Sequence, residues 1–167
     1  MNKLLPYIMM FVFLLLSCIA EGDKVGQELA VGDKMPEFSI KMDNGETVTA
    51  EDLKGNVSLV VFFHTSCKDC QQELPVLQTF YEDFPQCKLV CISREESTTS
   101  VADYWKEESL TLPYSAQEDR SIYHLFARQG IPRIYVIDKY GIIRAVFTDK
   151  PLANYDDLVE VVCQLDS

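Results

Sequence analysis

The chain reads as an α/β protein with a central mixed sheet, helices on both faces and an N-terminal β-hairpin. Three observations predict this. Ser58–Phe63 and Lys88–Ser93 are continuous short apolar runs, as strands buried on both faces are. The stretch between them has helical periodicity, so the first strand, the helix and the second strand make one crossover unit. Two apolar runs near the C-terminus flank Lys139-Tyr140-Gly141, a hairpin signal.

The elements follow in order. Phe38-Ser-Ile40 and Thr47-Val-Thr49 flank Asn44-Gly45, a pair suited to the positive φ angles of a type I′ turn, so they form a hairpin. Cys70, Leu74, Leu77, Tyr81 and Phe84 recur at helical spacing and predict a helix over 67–83 with one buried stripe; Pro75 inside it should kink it. Further helices are expected over 98–108 and over 121–129, the latter ending at Gly130. Strands 133–138 and 142–147 form the second hairpin, and a helix over 154–165 closes the chain. No internal repeat is present. Tyr104, Trp105, Tyr123 and Phe126 fit helix packing.

With 167 residues, 47% apolar and 25% charged, the chain has material for one folded domain and no second catalytic one. The formal charge of -11 argues against nucleic acid as a partner, because a phosphate backbone would be repelled. Residues 4–16 are almost wholly apolar, follow Lys3 and precede Ser17-Cys18. That run is short for a spanning helix, which needs about 20 residues, and suits a signal segment. Leu15-Leu16-Ser17-Cys18 resembles a lipobox, the bacterial signal cut before a cysteine that then carries diacylglycerol. The expectation is a signal peptide over 1–17, a lipid-anchored tether over 18–34 with Cys18 as attachment point, and a domain over 35–167. The tether is polar, with Gly22 and Gly26. An uncleaved N-terminal helix is the alternative, and either one exports the domain.

Of the five cysteines beyond Cys18, only Cys67 and Cys70 have an informative spacing. A Cys-x-x-Cys pair where a strand passes into a helix places its first thiol among unpaired backbone N–H groups, which stabilise an anion. Cys67 is therefore the expected nucleophile. Cys70, one turn later on the apolar stripe, is the expected resolving thiol. A zinc site is the weaker reading: the other close pair, Cys87 and Cys91, would lie roughly 13 Å apart on a strand at about 3.3 Å per residue. A structural bridge between Cys67 and Cys70 would close almost no loop and stabilise little. Cys87, Cys91 and Cys163 are expected to behave as small apolar residues on or beside buried elements. Glu73, one turn beyond Cys70 at the edge of the stripe, is a candidate proton acceptor, its pKa raised by partial burial; an exposed acid near the helix start is the plainer reading. His64 could line the site or be structural.

Val60-Val-Phe-Phe-His-Thr-Ser-Cys67-Lys-Asp-Cys70-Gln-Gln-Glu73-Leu-Pro75 resembles the active-site segment of thioredoxin-like proteins of the TlpA/ResA type. Gly130-Ile131-Pro132-Arg-Ile-Tyr-Val-Ile-Asp138-Lys-Tyr-Gly141 resembles their cis-proline loop, strand and turn. Val31-Gly-Asp-Lys-Met-Pro36-Glu-Phe38, with Gly45 and Leu53-Lys-Gly55, is shared by that group and the peroxiredoxins. The resemblance implies a thioredoxin fold, a cis Pro132 beside the active cysteines and an Ile131 backbone that pairs with a substrate strand. It implies a role for Glu73 in proton transfer near the thiols. It further implies disulfide-containing protein substrates, a membrane protein as electron donor and no separate cofactor. Cytochrome c maturation is a common task of such proteins, and no residue here selects it. The expected location is the bacterial cell envelope, facing the periplasm, in the inner or the outer membrane; Ile19 directly after Cys18 is not the acidic residue that marks inner-membrane retention.

The chain departs from that pattern in three places. Ser66 stands where a tryptophan is usual, Val61 replaces the buried acid of thioredoxins, and the central Lys68-Asp69 carries opposing charges. Two rival readings remain: a peroxiredoxin-like peroxidase with Cys67 meeting peroxide, against which His64 occupies the usual threonine position, and a non-catalytic thioredoxin-fold binding module.

Overall fold

The computed structural model describes residues 28–166, so Cys18 and the signal segment lie outside the described residues. The N-terminal hairpin pairs β1 (Ser39–Lys41) with β2 (Thr47–Thr49). A five-stranded sheet follows, built from β3 (Ser58–Phe63), β4 (Lys88–Ser93), β5 (Tyr114–Ser115), β6 (Arg133–Ile137) and β7 (Ile143–Phe147) in the order β5-β4-β3-β6-β7. Strands β3, β4 and β5 are parallel, and β6 and β7 run antiparallel to their neighbours. The helices are α1 (Lys68–Asp83), α2 (Thr98–Glu107), α3 (Ser121–Phe126) and α4 (Tyr155–Leu165).

All six residues of β3 are buried, and their period of two divides them between two cores. Leu59, Val61 and Phe63 face the core that holds Cys70, Leu74 and Leu77 of α1, Val101 and Trp105 of α2, and Leu158 and Val162 of α4. Val60 and Phe62 face the opposite core, with Tyr123 and Phe126 of α3 and Ile40 of the hairpin. Helix α4 starts at a capping box, where Asn154 and Asp157 satisfy each other's backbone N–H groups.

Several elements differ from the sequence reading. The first hairpin closes through Asp43-Asn44-Gly45, with Gly45 N–H donating to Met42 O and Met42 N–H to Glu46 O. Gly45 has φ +88 and Asn44 does not have positive φ, so the connection is a three-residue turn with a glycine bulge and not type I′. Helix α3 stops at Phe126 instead of residue 129. The Phe126 carbonyl accepts from Leu29 N–H at 2.8 Å and Tyr135 Oη–H at 3.1 Å, and Ala127 turns extended. Strand β5 had no sequence signal: it is two residues long, held by its register with Cys91 and Ile92. Pro75 lies within α1 on its exposed side.

Residues 28–34, read as tether, pack on the domain. Leu29 is buried, Gly32 N–H donates to Ile143 O at 2.9 Å, and Lys34 bridges to Ile142. Of the outlying cysteines, Cys87 and Cys91 are buried as expected, but Cys163 is exposed on α4.

Phe62 has no exposed surface and meets the rings of Tyr123, Phe126 and Tyr135 at centroid distances of 5.3, 5.1 and 6.3 Å. Phe62→Ala should lower the unfolding free energy by about 3–5 kcal/mol, read from the urea midpoint at unchanged slope.

Candidate active site

Strands β3 and β4 are parallel and end in register at Phe63 and Ser93, so their carboxyl ends open on one edge of the sheet. That edge is where open α/β sheets place their sites. The turn 64–66 leads from β3 into α1, whose N-cap is Cys67 with φ -81 and ψ 117. The Cys67 sulfur accepts the Cys70 N–H at 3.4 Å, taking the place a serine or aspartate oxygen holds at other helix starts. Two further bonds fix the turn: Cys67 N–H donates to His64 O at 3.0 Å, and Gln71 Nε2 donates to Thr65 O at 2.8 Å.

Cys67 is partly exposed, whereas Cys70 is fully buried against Leu74 and Val61. Burial, and then the hydrogen bond with the Cys67 side chain, pushes the Cys70 thiol far above the usual range. The Ile131–Pro132 peptide is cis, and Cys67 Sγ donates to the Ile131 carbonyl at 3.7 Å. The chain thus brings Cys67, Cys70, Ile131 and Pro132 together from the start of α1 and the loop before β6.

Glu73 lies on the buried side of α1 with 2% exposure, deeper than the stripe edge expected from spacing. Its Oε1 accepts Ala153 N–H at 2.9 Å, and Oε2 is buried without a partner. Burial pushes its pKa up to about 7, the Ala153 bond opposes this and Asp69 adds to it. A carboxyl held so can carry or release a proton near neutrality.

The sequence reading missed Glu96. It lies three residues past the end of β4, is 7% exposed, and accepts from Thr65 N–H at 2.9 Å and from the Thr65 hydroxyl. His64 Nδ1 stands 3.5 Å from Glu96 Oε1 and 2.9 Å from Ser66 Oγ. Glu96 therefore holds the turn that presents Cys67, and His64 is engaged in that turn. Parallel strands that end together were the available signal: whatever follows Ser93 must stand beside whatever follows Phe63. Among the described residues, no three His, Cys, Asp or Glu side chains gather as a metal site would require.

The AhpC/TSA family model matches residues 31–146. The thiol-disulfide oxidoreductase ResA of Bacillus cereus is 24% identical over 139 residues, covering 78% of this chain and 80% of the relative. The crystal structure of StoA from Bacillus subtilis superposes with a TM-score of 0.64 at 25% identity, over 75% of this chain and 96% of the other. The thioredoxin domain of a thiol-disulfide oxidoreductase from Bacteroides vulgatus shares the fold at a TM-score of 0.70 and 23% identity, over 81% and 99%. The chain belongs to the AhpC/TSA family, with the thioredoxin fold, and is a thiol-disulfide oxidoreductase.

Proposed function

We propose that this protein is a lipid-anchored reductase of protein disulfides, facing the periplasm and working through Cys67 and Cys70. The observation that carries the reading is the contrast within the pair. Cys67 is reachable at a helix N-cap beside the Ile131 carbonyl, and Cys70 is sealed one turn behind it.

A substrate strand pairs with the Ile131 backbone and presents its disulfide to Cys67. The Cys67 thiolate attacks one substrate sulfur, the substrate S–S bond breaks, and the leaving sulfur takes up a proton. Cys70 then gives its proton to Glu73 and attacks Cys67 Sγ. The second substrate sulfur leaves, so the substrate has gained two electrons and the protein holds a Cys67–Cys70 disulfide. A membrane protein that passes electrons outward restores the dithiol. Export rests on the apolar run 4–16, and anchoring on Cys18.

The first measurement is the Cys67–Cys70 equilibrium against glutathione and dithiothreitol. A donor to other disulfides should settle near about -270 mV, and a value near about -120 mV would make the protein an oxidant instead. Cys70→Ser should accumulate a mixed disulfide with substrate, and Cys67→Ser should form none. Rapid peroxide turnover that survived Cys70→Ser with added thiol would favour the peroxidase reading.

Glu73 yields two expectations. Glu73→Gln should slow resolution of the mixed disulfide about 100-fold at neutral pH, measured by single-turnover release of the substrate thiol. The folded protein keeps the Glu73 proton up to about pH 7, whereas in the unfolded chain a glutamate carboxyl with its ordinary value of 4.5 has already lost it. Stability should therefore fall as pH rises from 4.5 to 7, by about 3 kcal/mol in all from this group. Urea unfolding at several pH values checks this, with Glu73→Gln losing that slope.

A further inference from the structure

Arg94 directly follows β4, and its N–H donates to Phe63 O at 2.8 Å, which places it opposite His64 at the carboxyl edge of the sheet. Its guanidinium carbon lies 5.3 Å from the centroid of the Tyr123 ring. Tyr123 Oη–H donates to Gly130 O at 2.7 Å, and Gly130 precedes Ile131, whose carbonyl meets Cys67. Arg94 is thus one aromatic ring away from the loop that would hold a substrate strand.

The partly buried guanidinium has no carboxylate beside it among the described residues, and its Nε is buried with no hydrogen-bond partner. Scarcity of acids is not the reason, since the chain has 26 acidic against 15 basic side chains. Arg120, Arg133 and Arg144 each pair with a carboxylate, at 2.5, 2.5 and 2.7 Å. The two acids that follow Arg94 are engaged elsewhere: Glu95 pairs with Arg120, and Glu96 binds Thr65 and approaches His64. A guanidinium partly removed from water loses solvation that only an anion or an acceptor restores, and its planar fork matches a carboxylate.

We propose that Arg94 is a specificity-determining residue that receives the carboxylate of an acidic side chain next to the target cysteine of the protein substrate. The inference rests on the reductase reading above and adds the chemistry of the substrate segment. The aromatic face of Tyr123 holds the guanidinium in place, and the free N–H donors remain for the incoming carboxylate. Exchange at Cys67 and Cys70 is unchanged; the contact selects which disulfides reach it.

The test uses three short peptides identical except for glutamate, glutamine or lysine on either side of one cysteine, each blocked as a mixed disulfide with mercaptoethanol. The full-length reduced protein is mixed with each, and the released peptide thiol is followed by chromatography. The glutamate peptide should react about tenfold faster than the glutamine peptide, with the lysine peptide slowest, and added salt should narrow the differences. Arg94→Gln should bring the glutamate-to-glutamine ratio close to one, and Arg94→Lys should keep part of the preference. A ratio near one in the unaltered protein, or a ratio that Arg94→Gln leaves intact, overturns the proposal. Equal slowing of all three peptides by Arg94→Gln, with the ratio kept, would assign Arg94 to support of the Tyr123–Gly130 contact alone. Failure of the unaltered protein to reduce any of the three would overturn the reductase reading itself, and this inference with it.

Discussion

The central strand β3 is hydrogen-bonded along both edges and covered on both faces, and the chemistry of the protein hangs from its carboxyl end. Its alternating side chains are shared between two cores, so a shift of one residue would exchange the contents of both. That constraint fixes where Phe63 ends, hence where the turn 64–66 begins and where Cys67 caps α1. The neighbouring strands then deliver the remaining parts at the same edge: β4 leads to Arg94 and Glu96, and β6 begins just after the cis peptide at Pro132.

The site is assembled at some cost to the fold. Two carboxylates, Glu73 and Glu96, are buried near the dithiol, and they are treated differently. Glu96 has both oxygens engaged by the backbone and hydroxyl of Thr65, so its burial stiffens the turn before Cys67. Glu73 has one oxygen satisfied by Ala153 N–H and one buried without a partner, and burial raises its pKa. The half-satisfied acid lies on the buried side of α1 one turn past Cys70, and the satisfied one holds the turn that leads to the partly exposed Cys67.

Much of the fold was legible because its signals are local. Continuous apolar runs marked β3 and β4, and the stripe from Cys70 to Leu77 marked α1 to within a residue. The turn 43–45 was missed on local geometry, and the other misses were decided by contacts distant in sequence. The end of α3 depends on Leu29 and Tyr135 taking the Phe126 carbonyl, β5 depends on the edge of β4, and the 28–34 segment looked like a tether until β7 supplied partners.

By itself the sequence determined the fold class and singled out Cys67 and Cys70 as the candidate pair, because hydrophobic period and Cys-x-x-Cys spacing are properties of neighbouring residues. Only the tertiary structure decided the depth of Glu73, the partnership of Glu96 with Thr65, and the isolation of Arg94 from every described carboxylate. Burial, hydrogen-bond satisfaction and the choice of ionic partner are set by what the rest of the chain brings to a point in space. They are therefore sums over residues far apart in sequence, which no local pattern records.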